Sequence, residues 1–430
     1  MTALTGTKLV SHSEFENYGL NLRFGVEVEA SRGRMVPGTS IRDIRAQALR
    51  LTPEEYVKRL DKPFEPKFSA GVWFFGGGSS RFHFPYKKDL TIQERLDIAA
   101  EMASYGLRAV EAHYPWEINE GNIDLYRNLE KSAGIKVSIV GGIGGDFRQV
   151  DAQFGTTSSV IKEVREKYLK ATINGLRLAG ELEAVGVSWP GIDGYTYSLG
   201  THFYDMWDRF EAALAEALDQ VPGVRVAIEP KPYEPAINNI YRNTADGLIM
   251  ARDVEARLKN PVNRKLIEEG HAVVGLNPEV GHVRMGFEDV AYAYARVMRE
   301  GRLAHVHLNS QPLGNFDQDL NVGVVGLETV EALLFVLRMY GYDGYLGIDI
   351  NPEKMPVQVA LANCFNAVHL ANGVVDNLDH EAVLEHYFNP EKKRGDLENL
   401  LTLARARGVD TSMFVPRNVI KKWEEAAKGF

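Results

Sequence analysis

Carboxylates, imidazoles and one lysine recur in a restricted pattern along the second half of the chain. Ile228-Glu229-Pro230-Lys231-Pro232 sets Glu229 and Lys231 just past a short β-branched run. Leu276-Asn277-Pro278-Glu279-Val280-Gly281-His282 sets Glu279 and His282 past another. His305-Val306-His307-Leu308-Asn309 leads to Asn315-Phe316-Asp317-Gln318-Asp319, and Asp349 and Asn351 close the series. Glu229, Glu279, Asp317, Asp319 and Asp349 offer oxygen donors; His282 and His307 offer imidazole nitrogen. Brought together, such groups repel one another or stay unsatisfied unless a cation joins them. An oxygen-rich, nitrogen-containing set suits Mg²⁺, Mn²⁺ or Co²⁺ better than a closed structural zinc site. Five carboxylates exceed the needs of one divalent ion, so two ions sharing a bridging carboxylate balance the charge better.

Each feature alone has an ordinary reading. Asp317-x-Asp319 alone is a loop or cap feature, His305-x-His307 a buried strand pair, Glu279 with His282 a polar turn, and Lys231 a neutraliser of Glu229 or Glu234. Only their joint placement, each past a run of apolar residues, points to a metal centre. Trp73, Trp116 and Trp189 read as packing residues taken singly. Beside a polar pocket, Trp73 and Trp189 also read as walls for the apolar C–H faces of a sugar ring.

The elements that must hold these residues show in the apolar rhythm. Eight short runs rich in β-branched and aromatic residues are spaced along the chain: Phe68–Phe74, Arg108–Ala112, Lys136–Val140, Ala184–Ser188, Arg225–Ile228, Ala272–Leu276, Ala304–Leu308 and Tyr345–Ile350. They are nearly continuous in apolar character, as in parallel strands covered on both faces. Amphipathic stretches lie between them, among them Ile92–Tyr105, Ser159–Glu183, Phe203–Gln220, Thr244–Leu258, Phe287–Glu300 and Leu327–Tyr340. Eight strand–helix units predict an α/β fold of the (β/α)8 TIM-barrel type over residues 66–375, with an open doubly wound sheet as the rival. Residues 1–65 read as an N-terminal extension, with a helix start where Thr52 caps and Pro53 takes the first helical position. Residues 376–430 read as a C-terminal helical arm (Glu381–Tyr387, Asp396–Arg407, Val419–Ala427). In a barrel the functional side chains gather where strands end, which is where the carboxylates and histidines fall.

Composition excludes other classes. With 45% hydrophobic and 25% charged residues the 430-residue chain is neither disordered nor fibrous. Its net charge of −9 leaves no basic excess for nucleic acid, and the densest basic cluster, Lys392-Lys393-Arg394, is short. The single cysteine, Cys364, allows neither an intrachain disulfide nor a cysteine-based zinc site. The N-terminus lacks the apolar run of a signal peptide and no stretch is long enough to span a membrane, so a cytoplasmic protein is expected. The Gly76-Gly-Gly-Ser-Ser80 turn is too simple to assign. Gly141-Gly-Ile-Gly-Gly-Asp-Phe147 has Phe147 where a dinucleotide fingerprint needs its third glycine. Walker A, His-Glu-x-x-His and Gly-x-Ser-x-Gly motifs are missing, which leaves nucleotide, zincin and serine-hydrolase chemistry without support.

Ile228-Glu-Pro-Lys-Pro-Tyr-Glu-Pro235, Gly275-Leu-Asn-Pro-Glu-Val-Gly-His282 and Phe316-Asp-Gln-Asp-Leu320 closely resemble the metal-site motifs of the xylose (glucose) isomerases. The resemblance runs in order from about Lys67 to Pro352. It implies that Glu229, Glu279 and Asp349 hold a first metal, and that Glu279, as a bridge, holds a second with His282, Asp317 and Asp319. It further implies that Lys231 contacts the substrate carbonyl oxygen, that His113 serves sugar ring opening, and that Trp73 and Trp189 wall the substrate. The chain departs from that pattern twice. The xylose isomerases carry Asp where His307 stands, a substitution that resembles the L-rhamnose isomerases, in which a histidine occupies the first metal. The Asp three residues past the ring-opening histidine is Trp116 here, so the His–acid pair is missing unless Glu117 or another acid substitutes.

The resemblance implies a divalent-metal-dependent aldose–ketose isomerase that uses two ions (Mn²⁺, Mg²⁺ or Co²⁺), with Lys231, His113 and Asp319 as its reacting side chains. The expected partner is a monosaccharide in its open-chain form, without nucleic acid or membrane. A homodimer or homotetramer is expected from the apolar arm residues Leu384, Tyr387, Leu400, Leu401, Phe414 and Trp423. A single-metal sugar epimerase or lyase on the same barrel is the alternative, and a silent sugar-binding protein a more distant one.

Overall fold

A computed structural model describes residues 51–77, 87–144, 149–388 and 395–427. The extension up to residue 50, Gly78-Ser79-Ser80, Gly145-Asp146-Phe147 and Lys392-Lys393-Arg394 lie outside the described residues.

All eight apolar runs form strands of one sheet. The chain order is β1 (Phe68–Gly71), β2 (Leu107–His113), β3 (Lys136–Gly141), β4 (Val185–Ser188), β5 (Gly194–Tyr195), β6 (Val226–Ile228), β7 (Asn238–Asn239), β8 (Val274–Leu276), β9 (His307–Leu308) and β10 (Leu346–Ile348). Eight of these pair in parallel in the order β8-β6-β4-β3-β2-β1-β10-β9. Parallel bridges Leu276↔Leu303 and Glu279↔His307 link the two end strands. The result is an α/β barrel, and the doubly wound alternative falls because that order returns on itself.

The two faces of the sheet explain the continuous apolar runs. Ile139, Val185, Val187, Ala227, Ala272 and Ala304 form a small cluster. They occupy alternate positions on successive strands and fill the barrel interior. The intervening residues, such as Val140, Val226, Ile228, Val274 and Leu276, join the large core shared with the helices. Helix starts are set by local chemistry. Thr52 with Glu55, and Thr91 with Glu94, form reciprocal capping boxes for Pro53–Leu60 and Ile92–Met102. Asn243 and Asp289 cap Thr244–Arg257 and Val290–Arg299.

Several expected boundaries move. The first strand ends at Gly71, and Val72–Phe75 turns into a 3₁₀ helix. Phe287 takes a left-handed φ of 59° and stays out of the helix that begins at Val290. β5 and β7 pair in a separate antiparallel ribbon. That ribbon ties the segment after β4, which carries Trp189, to the segment after β6, which carries Lys231.

In the arm, helices cover His380–Phe388, Asp396–Ala406 and Arg417–Ala426. Part of its apolar surface is satisfied within the chain. Trp423 meets Tyr105 edge-on with centroids 5.3 Å apart and donates to Glu101 at 2.7 Å. Phe414 stacks on His369 at 6.3 Å, and Val415 exchanges backbone bonds with the Asn366 side chain. Tyr387 remains 75% exposed.

Candidate metal centre

The polar residues singled out by their spacing converge at one end of the barrel. Glu229 follows β6, Glu279 and His282 follow β8, His307 opens β9, Asp349 follows β10, and Asp317 and Asp319 lie on the loop after β9. Glu279 is the N-cap residue of the short helix Val280–Met285, with His282 in its first turn. That placement brings His282 Nε2 to 3.2 Å from Glu279 Oε2.

Two groups of ligand-type atoms share Glu279. One comprises Glu229, Glu279, His307 and Asp349; the other Glu279, His282 and Asp317, each set lying within 4.8 Å of one another. In the first, His307 Nδ1 stands 3.4 Å from Glu229 Oε2 and 3.5 Å from Asp349 Oδ2. In the second, His282 Nε2 is 3.2 Å from Asp317 Oδ2. Asp319 is not in either set. It adopts a left-handed φ of 48° and is joined to Glu279 through Asn309, whose Nδ2 donates to Glu279 at 2.8 Å and to Asp319 at 3.2 Å.

The electrostatics show why the arrangement suits a cation. Burial, together with facing Asp317, Asp319, Asp349 and Glu229, pushes the Glu279 carboxyl well above the usual carboxylate range. Burial also raises Asp349. Burial alone would raise Glu229 too, but the adjacent His307 and His282 outweigh it and hold it at about 2. Asn277 Oδ1, His282 Nδ1 and Asn309 Oδ1 are buried without a hydrogen-bond partner among the described residues. Crowded carboxylates, a lone imidazole nitrogen and amide oxygens left unsatisfied fit metal binding.

Around these groups lie the other expected side chains. Lys231 Nζ, fully buried, donates to Asp317 Oδ2 at 2.7 Å and sits 5.1 Å from the Trp189 ring centroid. Trp73 Nε1 donates to Asp349 Oδ1 at 2.9 Å, and its ring lies 4.3 Å from that of His113. Gly71 and Gly191 leave space for the two indoles, since a Cβ on either would fall 2.2–2.3 Å from the ring. His113 Nδ1 lies 3.0 Å from Glu117 Oε2, and the His113 backbone N–H donates to the same oxygen at 3.0 Å. Glu117 thus supplies the acid that Trp116 does not. Burial opposes its charge, but His113 and Arg95 outweigh burial and lower its pKa.

One residue escaped the reading of strand ends. Glu111 lies inside β2, fully buried, and its Oε2 is 2.7 Å from His307 Nε2. Its Oε1 is 2.9 Å from His305 Nε2 and accepts from Ser69 Oγ at 2.5 Å. Burial pushes its carboxyl up, but the two histidines overcome that and hold it well below the usual range. The signal was present: a glutamate in the middle of an apolar strand is too costly to bury unpaired.

The chain is similar to known proteins. The chain is 29% identical over 304 residues to a xylose isomerase of Thermus caldophilus, covering 65% of this chain and 72% of that protein. It is 28% identical over 296 residues to the xylose isomerase of Thermus thermophilus, with the same coverage of 65% and 72%. Among solved structures, a protein from Sinorhizobium meliloti 1021 superposes with a TM-score of 0.51 at 17% identity, over 70% of this chain and 96% of that one, which speaks to the fold alone. No family model matches the chain. The chain is xylose isomerase-like, and its buried carboxylate–histidine groups suit metal.

Proposed function

We propose that this protein is a divalent-metal-dependent aldose–ketose isomerase that shifts hydrogen directly between C1 and C2 of an open-chain monosaccharide. The observation that carries the reading is the pair of buried ligand sets joined by Glu279. Glu229, Glu279, His307 and Asp349 would hold one cation; Glu279, His282 and Asp317, with Asp319 close by, would hold the other. Bound there, the cations supply Lewis-acid polarisation of the substrate's oxygens.

The chain's own residues divide the remaining work. Lys231 keeps its ammonium in a dry pocket beside Asp317, a donor for the C1 oxygen where negative charge develops. Glu117 accepts from His113 Nδ1 and so leaves Nε2 of the neutral ring free to take the hydroxyl proton as a cyclic sugar opens. Trp73, fixed by Asp349 and packed at a tilt against His113, and Trp189 beneath Lys231 wall the pocket against water. Asp319, one bridge removed from Glu279, would add its carboxylate beside the second cation. Because the hydrogen travels between carbons, no side chain is needed as a carbon base.

Mg²⁺, Mn²⁺ and Co²⁺ all suit the mixed donors. The reading extends to a cytoplasmic homodimer or homotetramer in which the 376–430 arm contributes contacts, Tyr387 being its most exposed aromatic residue among the described residues. Among the described residues no helix is long and apolar enough to cross a membrane. The test is an aldose panel incubated with the metal-free chain plus Mg²⁺, Mn²⁺ or Co²⁺ in turn, with ketose formation as readout. Ketose from at least one aldose, abolished by chelation, is expected. With ketoses supplied in place of aldoses, epimerised ketose without any aldose–ketose interconversion would replace this reading with the epimerase.

A further inference from the structure

We infer that Glu111 is a positioning residue for the metal centre: it holds the His307 ring so that Nδ1, and not Nε2, is the atom offered to a cation. The inference rests on the proposed cation site at Glu229, Glu279, His307 and Asp349.

The two ring nitrogens of His307 face different surroundings. Nε2 is 2.7 Å from Glu111 Oε2. Nδ1 looks the other way, 3.4 Å from Glu229 Oε2, 3.5 Å from Asp349 Oδ2 and 3.0 Å from Asn277 Nδ2. An ionised carboxylate can only accept, so the short contact with Glu111 demands a proton on Nε2. In the neutral ring that leaves the Nδ1 lone pair to accept from Asn277 Nδ2, with the Glu229 and Asp349 carboxylates beside it. The same division, with one nitrogen on metal and the other bonded to a carboxylate, is the usual way a ligating imidazole is oriented.

Glu111 is itself held for this task. Three donors converge on it: His307 Nε2, His305 Nε2 at 2.9 Å and Ser69 Oγ at 2.5 Å. An amide in its place would have to turn its NH₂ toward at least one of these donors. Space is held open by Gly347, the register partner of His307 across β9 and β10. A Cβ there would lie 2.5 Å from His305 Nε2, 2.6 Å from Glu111 Oε1 and 2.9 Å from His307 Cδ2. Gly347 has no side chain, so its replacement presses on the Glu111–histidine unit without deleting a ligand.

The reading also explains the substitution at 307. Where the xylose isomerase motif carries Asp, this chain carries a neutral ligand and places the carboxylate one residue further out, on β2. Charge near the ion is retained while the donor atom changes from oxygen to nitrogen.

Glu111, His305 and His307 also satisfy the distance criterion for a cation of their own. The contacts of 2.7 and 2.9 Å are those of hydrogen bonds between complementary partners, which favours the positioning role and makes a third ion a testable outcome.

The test uses the full-length chain freed of metal, titrated with Co²⁺ and followed by its visible absorption. In parallel, ¹⁵N–¹H correlation spectra of the Zn²⁺-loaded protein read which histidine nitrogen carries metal. The wild type should bind two Co²⁺, and His307 should show metal on Nδ1 with the proton retained on Nε2. Glu111→Gln should weaken one of the two Co²⁺ by roughly 10–100-fold and leave the other unchanged. Gly347→Ala, which keeps every polar group, should move the same ion in the same direction and guards against a variant that fails to fold. In a His307→Asp background, Glu111→Gln should no longer weaken Co²⁺, because the ring it orients is gone. Unchanged affinities in both Glu111→Gln and Gly347→Ala, or Zn²⁺ on Nε2 of His307, would overturn the inference. A third Co²⁺ in the wild type that is lost with Glu111 would overturn it too. A wild type that binds no Co²⁺ would instead remove the metal-centre reading, and this inference with it.

Discussion

The two halves of the metal centre share Glu279 but are built on different supports. In the His307 half, the donors come from the ends of β6, β9 and β10, and each is fastened from outside. Asn277 Nδ2 donates to Glu229 at 2.8 Å, Trp73 Nε1 to Asp349 at 2.9 Å, and Glu111 grips the far side of His307. In the His282 half, one donor sits on a single short helix and another on the long loop after β9. His282 Nδ1 has no hydrogen-bond partner among the described residues, its nearest carboxylate oxygen lying 3.5 Å away on Glu229. Asp317 is engaged by Lys231. The contrast assigns different duties on the proposed function. The strand-borne set would give a cation a stiff frame suited to substrate anchoring. The loop-borne set would give a cation a more adaptable surround, next to Lys231.

The largest effect should come from removing what the halves share. Glu279→Gln should empty both sites and reduce turnover more than about 1,000-fold, roughly 4 kcal/mol of transition-state stabilisation, since an amide cannot bridge two cations as a carboxylate does. Metal analysis decides, and two tightly held ions in this variant would refute the bridge. Next comes Lys231→Met, which removes the ammonium but no ligand. Both ions should stay while kcat falls about 10²–10³-fold; loss of an ion would show that Lys231 supports the loop-borne half structurally.

Acidity should sharpen the contrast further. Burial opposes charge on His307, but Glu111 and Glu229 overcome it and raise its pKa well above the ordinary value. Glu279 is likewise raised, by burial and its carboxylate neighbours. Both therefore bind protons in the metal-free folded chain more tightly than in the unfolded one. Their contribution to the stability of the metal-free chain is present at low pH and is lost as pH rises through the raised values. Cations must displace those protons, so metal affinity runs the opposite way and strengthens as pH rises. Calorimetry of Mn²⁺ binding in two buffers of different ionisation heat should show proton release near neutral pH. Binding without proton release would contradict the apo electrostatics. The smallest effect belongs to Trp73→Phe, which keeps the wall but frees Asp349. About tenfold weaker binding of the strand-borne ion alone is expected, about 1.4 kcal/mol, near the lower end of what a hydrogen bond to a charged group contributes.

Much of this was legible in the sequence because parallel strands are covered on both faces, so each reads as a solid apolar run. The ligand residues stood out because polar groups past such runs fall at one mouth of the barrel. What was hidden had physical causes. Val72–Phe75 is as apolar as β1, and a run of that kind reads alike in a strand or a 3₁₀ turn. Val280–Met285 is too short to display a helical period, yet it is what sets His282 3.2 Å from Glu279. Glu111 sits in mid-strand rather than past one, so a search of strand ends passes over it. The pairing of His113 with Glu117 depends on a turn four residues long, which spacing alone left open.

The central claim is a direct transfer of hydrogen between neighbouring carbons in a two-cation site. Conversion of an aldose deuterated at C2, followed by NMR in ordinary water, tests it most directly. The account predicts that the ketose keeps the deuterium, now at C1, with no uptake of solvent hydrogen during turnover. Loss of the label to water would contradict it and show instead a proton-transferring base of the kind an epimerase employs.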